Sequence, residues 1–477
     1  MPSTDLSVAM TRPVGRRYYW RVRACNEHGC GGYSEVWYLD VGRLRDDVNG
    51  DGYGDVVVGI ASGATEVAAV GRAYIVFGQG GSDTPITVAL TDPRAVTDGR
   101  YGAAVAMVGD LNSDGYGDVA VGSSGTMRAS HLGWVYVYAG RGAWPPTVAA
   151  ESGGYGLAEP DAANYFGAAI AGGGDINGDG YADFAVAALE PSLAATSPGY
   201  AYVNYGRPTL PVSQLGSDRN IPDPLGGKTG LFGWSLSVGD VDEDGFGDLV
   251  VGAIGRDGLA GEVSVFVGGR DSGVPPIVVT NASARLSPAV AGPAAFGFAS
   301  AVCGNILAMG APLESAPGQG AGRVRLYRAG GPLPAEVLAY DRVIDDPSGA
   351  IRASFGTDLG CGDVTADGRS DLVASAPTPD DEGVVFVFSD ASGLPGSPIA
   401  TLTGGVGVVG HRIKLTDFNG DGISDIVASR LRGPLTPEGA VLVWFGRKAW
   451  PSKITSADLT VPNPSGVSAE RFGEALN

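Results

Sequence analysis

Basic residues are scarce in this chain: 32 Lys and Arg stand against 52 Asp and Glu, for a net charge of −20 and a pI near 4.5. Nucleic acid and anionic membrane surfaces are gripped by basic patches, so neither is expected as a partner. Long apolar runs are missing too. No stretch approaches the roughly 18 residues of a membrane span, and MPSTDLSVAMTRPVGRR at the start lacks the apolar core of a signal peptide. Histidine is reduced to His28, His131 and His411, in unrelated parts of the sequence, and neither GxSxG nor HExxH occurs. That leaves little for nucleophilic or metal-hydrolytic chemistry, and the chain is expected not to be an enzyme. Carboxylate pairs for glycoside hydrolysis could be drawn from its acidic loops, but carboxylates holding a cation are poor acids and bases. The four cysteines are few but even in number, which suits an oxidising compartment. Cys25 with Cys30, across a hairpin turn, and Cys303 with Cys361 are the plausible pairs, although sequence does not determine connectivity.

Glycine, by contrast, is abundant at 78 residues, and it falls at turns and strand ends inside repeats, which argues against disorder. The most informative repeat is an acidic nine-residue loop: DVNGDGYGD from 47, DLNSDGYGD from 110, DINGDGYAD from 175, DVDEDGFGD from 240, DVTADGRSD from 363 and DFNGDGISD from 417. Oxygen-bearing side chains occupy positions 1, 3, 5 and 9. These are Asp47, Asn49, Asp51 and Asp55; Asp110, Asn112, Asp114 and Asp118; Asp175, Asn177, Asp179 and Asp183; Asp240, Asp242, Asp244 and Asp248; Asp363, Thr365, Asp367 and Asp371; Asp417, Asn419, Asp421 and Asp425. Calcium takes six to eight hard oxygens, and a residue that gives only its carbonyl can carry any side chain. Position 7 varies accordingly, as Tyr53, Tyr116, Tyr181, Phe246, Arg369 and Ile423. An EF-hand would need a glutamate at position 12, but Val58, Val121, Val186, Val251, Ala374 and Ala428 stand there, in short β-branched runs that read as buried strands. The expectation is a set of calcium loops on β-hairpins, about six ions per chain, which would bring the net charge of −20 to about −8.

The loops begin at steps of 63, 65, 65, 123 and 54 residues, so the double-length step hides a unit. Alternating strands at 71–78, 133–140, 199–206, 261–268, 322–329, 383–390 and 439–446 bring the number of units to seven. The fifth has CGNILAMGA in place of an acidic loop and is expected to hold no calcium. Aromatic-glycine pairs open most units: Tyr101-Gly102, Phe166-Gly167, Phe232-Gly233, Phe296-Gly297 and Phe355-Gly356, with Val409-Gly410 a degenerate start in the seventh. Units of about 60 residues, with room for four short strands and no helical periodicity, predict an all-β fold. The expected architecture is a seven-bladed β-propeller of four-stranded antiparallel blades with calcium-binding hairpin loops, over residues 42–477.

The aromatic-glycine start, the DxNxDGxxD loop and Gly-Ala-Pro-like ends such as Gly310-Ala311-Pro312 and Ser375-Ala376-Pro377 resemble FG-GAP repeats, which build the amino-terminal propeller of integrin α-chains. The resemblance covers roughly residues 40–477. It implies that the calcium loops lie on one rim, between the first and second strands of each blade, and that a protein or glycan ligand engages the opposite rim. The chain departs from the integrin pattern in having six such loops, and it shows no integrin leg domains.

Residues 1–41 differ in kind. RRYYWRVRACNEHGCGGYSEVWYLDV reads as two alternating strands around a turn at Asn26–Gly29, and it is similar to the last two strands of a fibronectin type III domain. Two strands cannot form that sandwich, so the chain is expected to be truncated at its start. At the other end Phe472-Gly473 is a fresh aromatic-glycine start. Residues 472–477 either supply the inner strand of the first blade or begin an eighth repeat, and in the second case Tyr38–Val41 could be that inner strand.

The function expected is that of an extracellular or cell-surface, non-catalytic adhesion or ligand-binding scaffold, since extracellular-type sites fill only at millimolar calcium. Two alternatives stand: a targeting or spacer module of a larger secreted enzyme, and a lectin with Trp134, Trp234 and Trp444 as candidate sugar platforms. Inter-strand segments at 123–133, 189–199 and 377–383 are candidate rim loops.

Overall fold

The computed structural model describes residues 16–26, 29–34, 37–41, 45–61, 71–81, 83–94, 99–125, 133–149, 154–158, 165–189, 199–211, 213–224, 226, 230–269, 284–286, 293–314, 322–328, 340–350, 353–377, 383–405, 407–431, 439–466 and 472–477. Seven antiparallel sheets follow one another as the blades of a β-propeller. Their second strands are Val56–Ile60, Asp118–Ser123, Asp183–Ala188, Asp248–Ala253, Ile306–Ala311, Asp371–Ala376 and Asp425–Leu431. Each is packed by a neighbouring blade on both faces, which is why these strands are apolar without alternation. The residues at loop position 12, Val58, Val121, Val186, Val251, Ala374 and Ala428, are all fully buried in them. The loops therefore lead into β-strands, five of them as hairpin connections, and are not EF-hands.

Hydrophobic clusters fill the spaces between blades. Phe166, Phe184 and Tyr202 meet Ala106, Val108 and Val137 between the second and third. The phenylalanine of an opening pair lies edge-on to an aromatic of its own third strand, as Phe166 to Tyr202 at 5.5 Å and Phe232 to Phe266 at 6.3 Å, while Tyr101 is tilted against Tyr136. Its glycine is required for contact with the preceding blade. Gly233 has φ +93°, and a Cβ there would stand 2.8 Å from the Cβ of Ala187. The glycine that starts the third strand meets the same junction from the other side, and a Cβ on Gly133 would lie 2.1 Å from the Phe166 carbonyl oxygen.

The first blade takes its inner strand from the end of the chain. Ala475 pairs with Gly59 and Leu476 with Val58, and Asn477 exchanges both backbone hydrogen bonds with Val57. Phe472 is fully buried against Tyr74. The Asn477 amide oxygen accepts from the Met107 N–H and from Lys414 Nζ, so it ties three blades together. Residues 472–477 thus close the ring and do not open an eighth repeat. Trp37–Val41 pairs instead with Arg16–Trp20, while Cys25 and Cys30 form a disulfide. Three blades carry a fifth, parallel strand from the blade that follows: Thr147–Ala149 beside Thr87–Thr91, Ser213–Leu215 beside Gly154–Ala158, and Lys453–Ile454 beside Ala400–Thr403. Among the described residues no helix is long and apolar enough to cross a membrane.

Candidate metal centres

Five of the acidic loops join the inner strand of a blade to its second strand, while the loop at 47–55 leads into the second strand of the first blade, whose inner strand comes from residues 475–476. The six use their position-1, position-5 and position-9 side chains in the same way. The position-1 carboxylate is drawn into the loop by backbone amides: Asp47 accepts from Gly50 (2.6 Å), Asp51 (3.2 Å) and Gly52 (2.9 Å), and Asp175 from Gly178, Asp179 and Gly180. Asp110, Asp240, Asp363 and Asp417 accept the same bonds from positions 5 and 6. At position 3, Asn49, Asn112, Asn177 and Asn419 turn their amide oxygens to the position-5 N–H. Position 5 accepts from the N–H of position 7, as Asp51 does from Tyr53 and Asp421 from Ile423. Position 4 is left-handed even where it is not glycine, at Ser113, Glu243 and Ala366.

In the fourth loop the carboxylate oxygens converge: Asp240, Asp242 and Asp244 each place one within 4.8 Å of the others. A hard, oxygen-only donor set of this kind fits calcium, and each oxygen that accepts one N–H retains a lone pair for a cation. Burial also raises the pKa of several of these carboxyls. Asp183 is pushed up to about 8, and Asp248 and Asp425 to about 7, against the pull of their backbone hydrogen bonds. A cation in the loop supplies the positive charge these buried carboxylates otherwise lack.

Position 9 has a second role that spacing alone does not reveal. Asp55, Asp118, Asp183, Asp248, Asp371 and Asp425 are fully buried. One oxygen of each accepts a backbone N–H near the start of its own loop, as Asp183 does from Ile176 (2.8 Å) and Asp425 from Asn419 (3.0 Å). The other accepts from the residue two places beyond the third strand: Gly78, Gly140, Gly206, Gly268, Asp390 or Gly446. Position 9 therefore pins the loop to the blade.

Loops also bond to one another. The position-8 N–H donates to the position-1 carbonyl of the preceding loop: Gly54 to Asp417 (2.7 Å), Gly117 to Asp47 (2.8 Å), Ala182 to Asp110 (3.2 Å), Gly247 to Asp175 (2.8 Å) and Ser424 to Asp363 (2.9 Å). A second set, from Gln79, Arg141, Arg207, Gly269 and Arg447, reaches the neighbouring position-2 carbonyl. The position-7 aromatic, free to vary if it gives only a carbonyl, packs across the same junction. A Cβ on Gly50 would lie 2.6 Å from the Tyr116 ring, and one on Gly420 2.7 Å from that of Tyr53. The sequence hint was the glycine at position 4 of the preceding loop. Arg369 differs, making an ion pair with Asp390 (2.6 Å).

In the fifth blade Ser300–Cys303 turns directly into Ile306–Ala311 through Gly304 and Asn305, and Cys303 is disulfide-bonded to Cys361. Of the tryptophans, Trp444 is fully buried and donates to the Ser456 carbonyl, so it offers no platform. Trp134 stacks on Tyr136 beneath Arg94, and Trp234 lies 5.4 Å from Phe298 where the inner strands line an axial cavity of about 700 Å³. His411 also lines that cavity, whereas His28 and His131 fall outside the described residues. So do most of the segments 123–133, 189–199 and 377–383.

Residues 166–204 and 232–266, the first three strands of the third and fourth blades, match the model of the FG-GAP repeat. The chain is 35% identical over 149 residues to integrin alpha-6 of Gallus gallus, covering 31% of this chain and 13% of that one. It is 31% identical over 179 residues to integrin alpha-11 of Homo sapiens, covering 35% and 13%. It is also 34% identical over 152 residues to phosphatidylinositol-glycan-specific phospholipase D of Bos taurus, covering 30% and 17%. The chain spans less than a fifth of the length of these relatives. Repeat match, relatives and blade geometry agree: the chain carries FG-GAP repeats and folds as a β-propeller similar to that of integrin α-chains.

Proposed function

We propose that this chain is an extracellular or cell-surface scaffold in which calcium, bound at the six acidic loops, rigidifies a propeller that presents a protein or glycan ligand site on the opposite rim. The convergence of three carboxylates in the fourth loop, together with the hydrogen-bonded framework that the other loops share with it, carries this reading. Positions 1, 3 and 5 supply side-chain oxygens, position 7 its carbonyl, and position 9 a carboxylate that also anchors the blade. The work of the molecule is then positional and not catalytic. With free calcium tenfold above Kd, each site stabilises the fold by about 1.4 kcal/mol. Six sites together give about 8 kcal/mol, on the scale of a domain's whole stability of about 5–15 kcal/mol.

The similarity to a phospholipase D over 30% of the chain favours a second reading, in which the propeller is the targeting module of a larger secreted enzyme. The first experiment is a thermal melt of chelator-treated protein with calcium titrated back, and bound metal counted by elemental analysis. A large rise in midpoint with close to six ions per chain is expected. No bound metal and no shift would sink the scaffold mechanism. The two readings part on what the propeller binds when immobilised: an adhesion scaffold captures a protein or glycan by itself, whereas a targeting module delivers a fused enzyme to its substrate.

A further inference from the structure

The hydrogen bonds between loops run across five of the seven blade junctions, seven-to-one, one-to-two, two-to-three, three-to-four and six-to-seven. The two junctions flanking the fifth blade have none among the described residues, because that blade has a two-residue turn where the acidic loop would be. Both junctions are instead bridged by side chains of the inner strands. Between the fourth and fifth blades, Ser235 Oγ donates to the Gly297 carbonyl (2.7 Å), while Ser237 Oγ bonds the Ser300 carbonyl (2.8 Å) and hydroxyl (2.6 Å). The matching positions of the second and third blades are Ala104, Ala106, Ala169 and Ala171, which make no such bond. Between the fifth and sixth blades the bridge is covalent, Cys303 to Cys361.

From this placement we propose that Cys303–Cys361 is a thiol-addressable staple that holds the five-to-six junction shut without calcium, and that thiols reach it through the axial cavity. Access is unequal at the two sulfurs. Cys303 is 3% exposed, whereas Cys361 is half-buried and lines the cavity. An incoming thiolate, from a small molecule or a protein dithiol, attacks Cys361 Sγ, forms a mixed disulfide with it and releases Cys303 as thiolate. A second thiolate then attacks the reductant's sulfur in that mixed disulfide, which frees Cys361. The chain gains two electrons and two protons, and the reductant leaves as its own disulfide. Two independent clasps then close the ring: calcium at the five loop junctions, and a disulfide with a serine strap around the fifth blade.

The proposal rests on the calcium reading for its first clasp, and regional hydrogen exchange on the full chain separates the two. Chelator in the absence of reductant is expected to speed exchange in peptides spanning 47–55, 110–118, 175–183 and 417–425 at least about tenfold. Peptides spanning 300–311 and 359–362 should change less than about twofold. Dithiothreitol in saturating calcium should do the converse, with alkylation and mass spectrometry locating new thiols at Cys303 and Cys361 besides those of the exposed Cys25–Cys30 bridge. Chelator that opens 300–311 and 359–362 as far as the loops would overturn the staple while leaving calcium binding intact. Chelator without effect anywhere would overturn both readings. The Cys303→Ser/Cys361→Ser variant should show the reduced pattern without reductant; if it fails to fold, reduction of the folded wild-type chain still decides the matter. Exchange at 300–311 and 359–362 that stays unchanged after complete alkylation would refute the staple.

Discussion

Asp179 and Asp183 stand four residues apart in the third loop, are both predicted ligands, and differ in what else they hold. Asp179 is exposed and accepts the Tyr181 N–H (3.0 Å) and Asn177 Nδ2 (2.9 Å), bonds that water replaces readily. Asp179→Ala should therefore cost less than about 1 kcal/mol in chelator, and in calcium tenfold above Kd a further 1.4 kcal/mol or so as that site is lost. Asp183 is fully buried and accepts from Ile176 (2.8 Å) and Gly206 (2.9 Å). Asp183→Ala strands the N–H groups of Ile176 and Gly206 at about 1–3 kcal/mol each and loses a longer bond from Asn177 (3.3 Å), and the total falls toward the lower end because burial pushes this carboxyl up to about 8, leaving it largely neutral at pH 7 without metal. The expected loss is roughly 2–5 kcal/mol in chelator, with a similar calcium-dependent increment on top. Urea unfolding followed by tryptophan fluorescence, in chelator and in calcium, reads both numbers. Equal destabilisation by the two variants in chelator would refute the assignment of position 9 as the pin between loop and blade.

Gly439→Ala would put a Cβ 2.4 Å from the Phe472 carbonyl oxygen at the junction that closes the ring. It should destabilise by about 1–3 kcal/mol, with proteolysis beginning at the 472–477 end, and a neutral result would argue against closure by that segment. Asn204 is buried with neither amide atom partnered, at the strand position where other blades carry Val76, Tyr138, Phe266, Tyr327, Phe388 and Trp444. Asn204→Val is expected to stabilise the chain by about 1–3 kcal/mol in urea, and a loss of stability would show that the amide is satisfied by a bridging water. Burial pushes Asp358 up to about 6, with Arg412 and the Ile413 N–H (2.6 Å) opposing. Its folded value lies above the unfolded value of about 3.9, so the folded chain binds the extra proton between them and loses stability as pH rises through that window. Asp358→Asn keeps an oxygen for Ile413 but no charge, so its stability relative to wild type should climb by about 2–3 kcal/mol from pH 4 to 7 and then level off. A pH-independent difference would remove burial of the charge as the cause.

The features legible in the sequence were those that a local pattern must satisfy. Calcium geometry demands oxygens at alternate residues and a turn at position 6, so the loops show themselves within nine residues, and a strand packed on both faces demands an unbroken apolar run such as Val56–Ile60. The missed features depend on partners far away in the chain. Leu476 gives no sign that it pairs with Val58, since two residues of strand carry no periodicity and their partner lies at the opposite end of the sequence. Tyr38–Val41 looked equally suitable for that edge because alternation reports a strand but never its neighbour. The anchoring role of Asp183 was hidden for a related reason: a carboxylate expected to bind a cation and one that caps backbone amides have the same sequence spacing, and only the burial of the loop's exit distinguishes them. The inner strands of the fifth and sixth blades show how the two kinds of information combine. A missing acidic loop was plain in the sequence and so were two cysteines 58 residues apart, but only the ring geometry sets the disulfide at a junction that the loops leave unbridged.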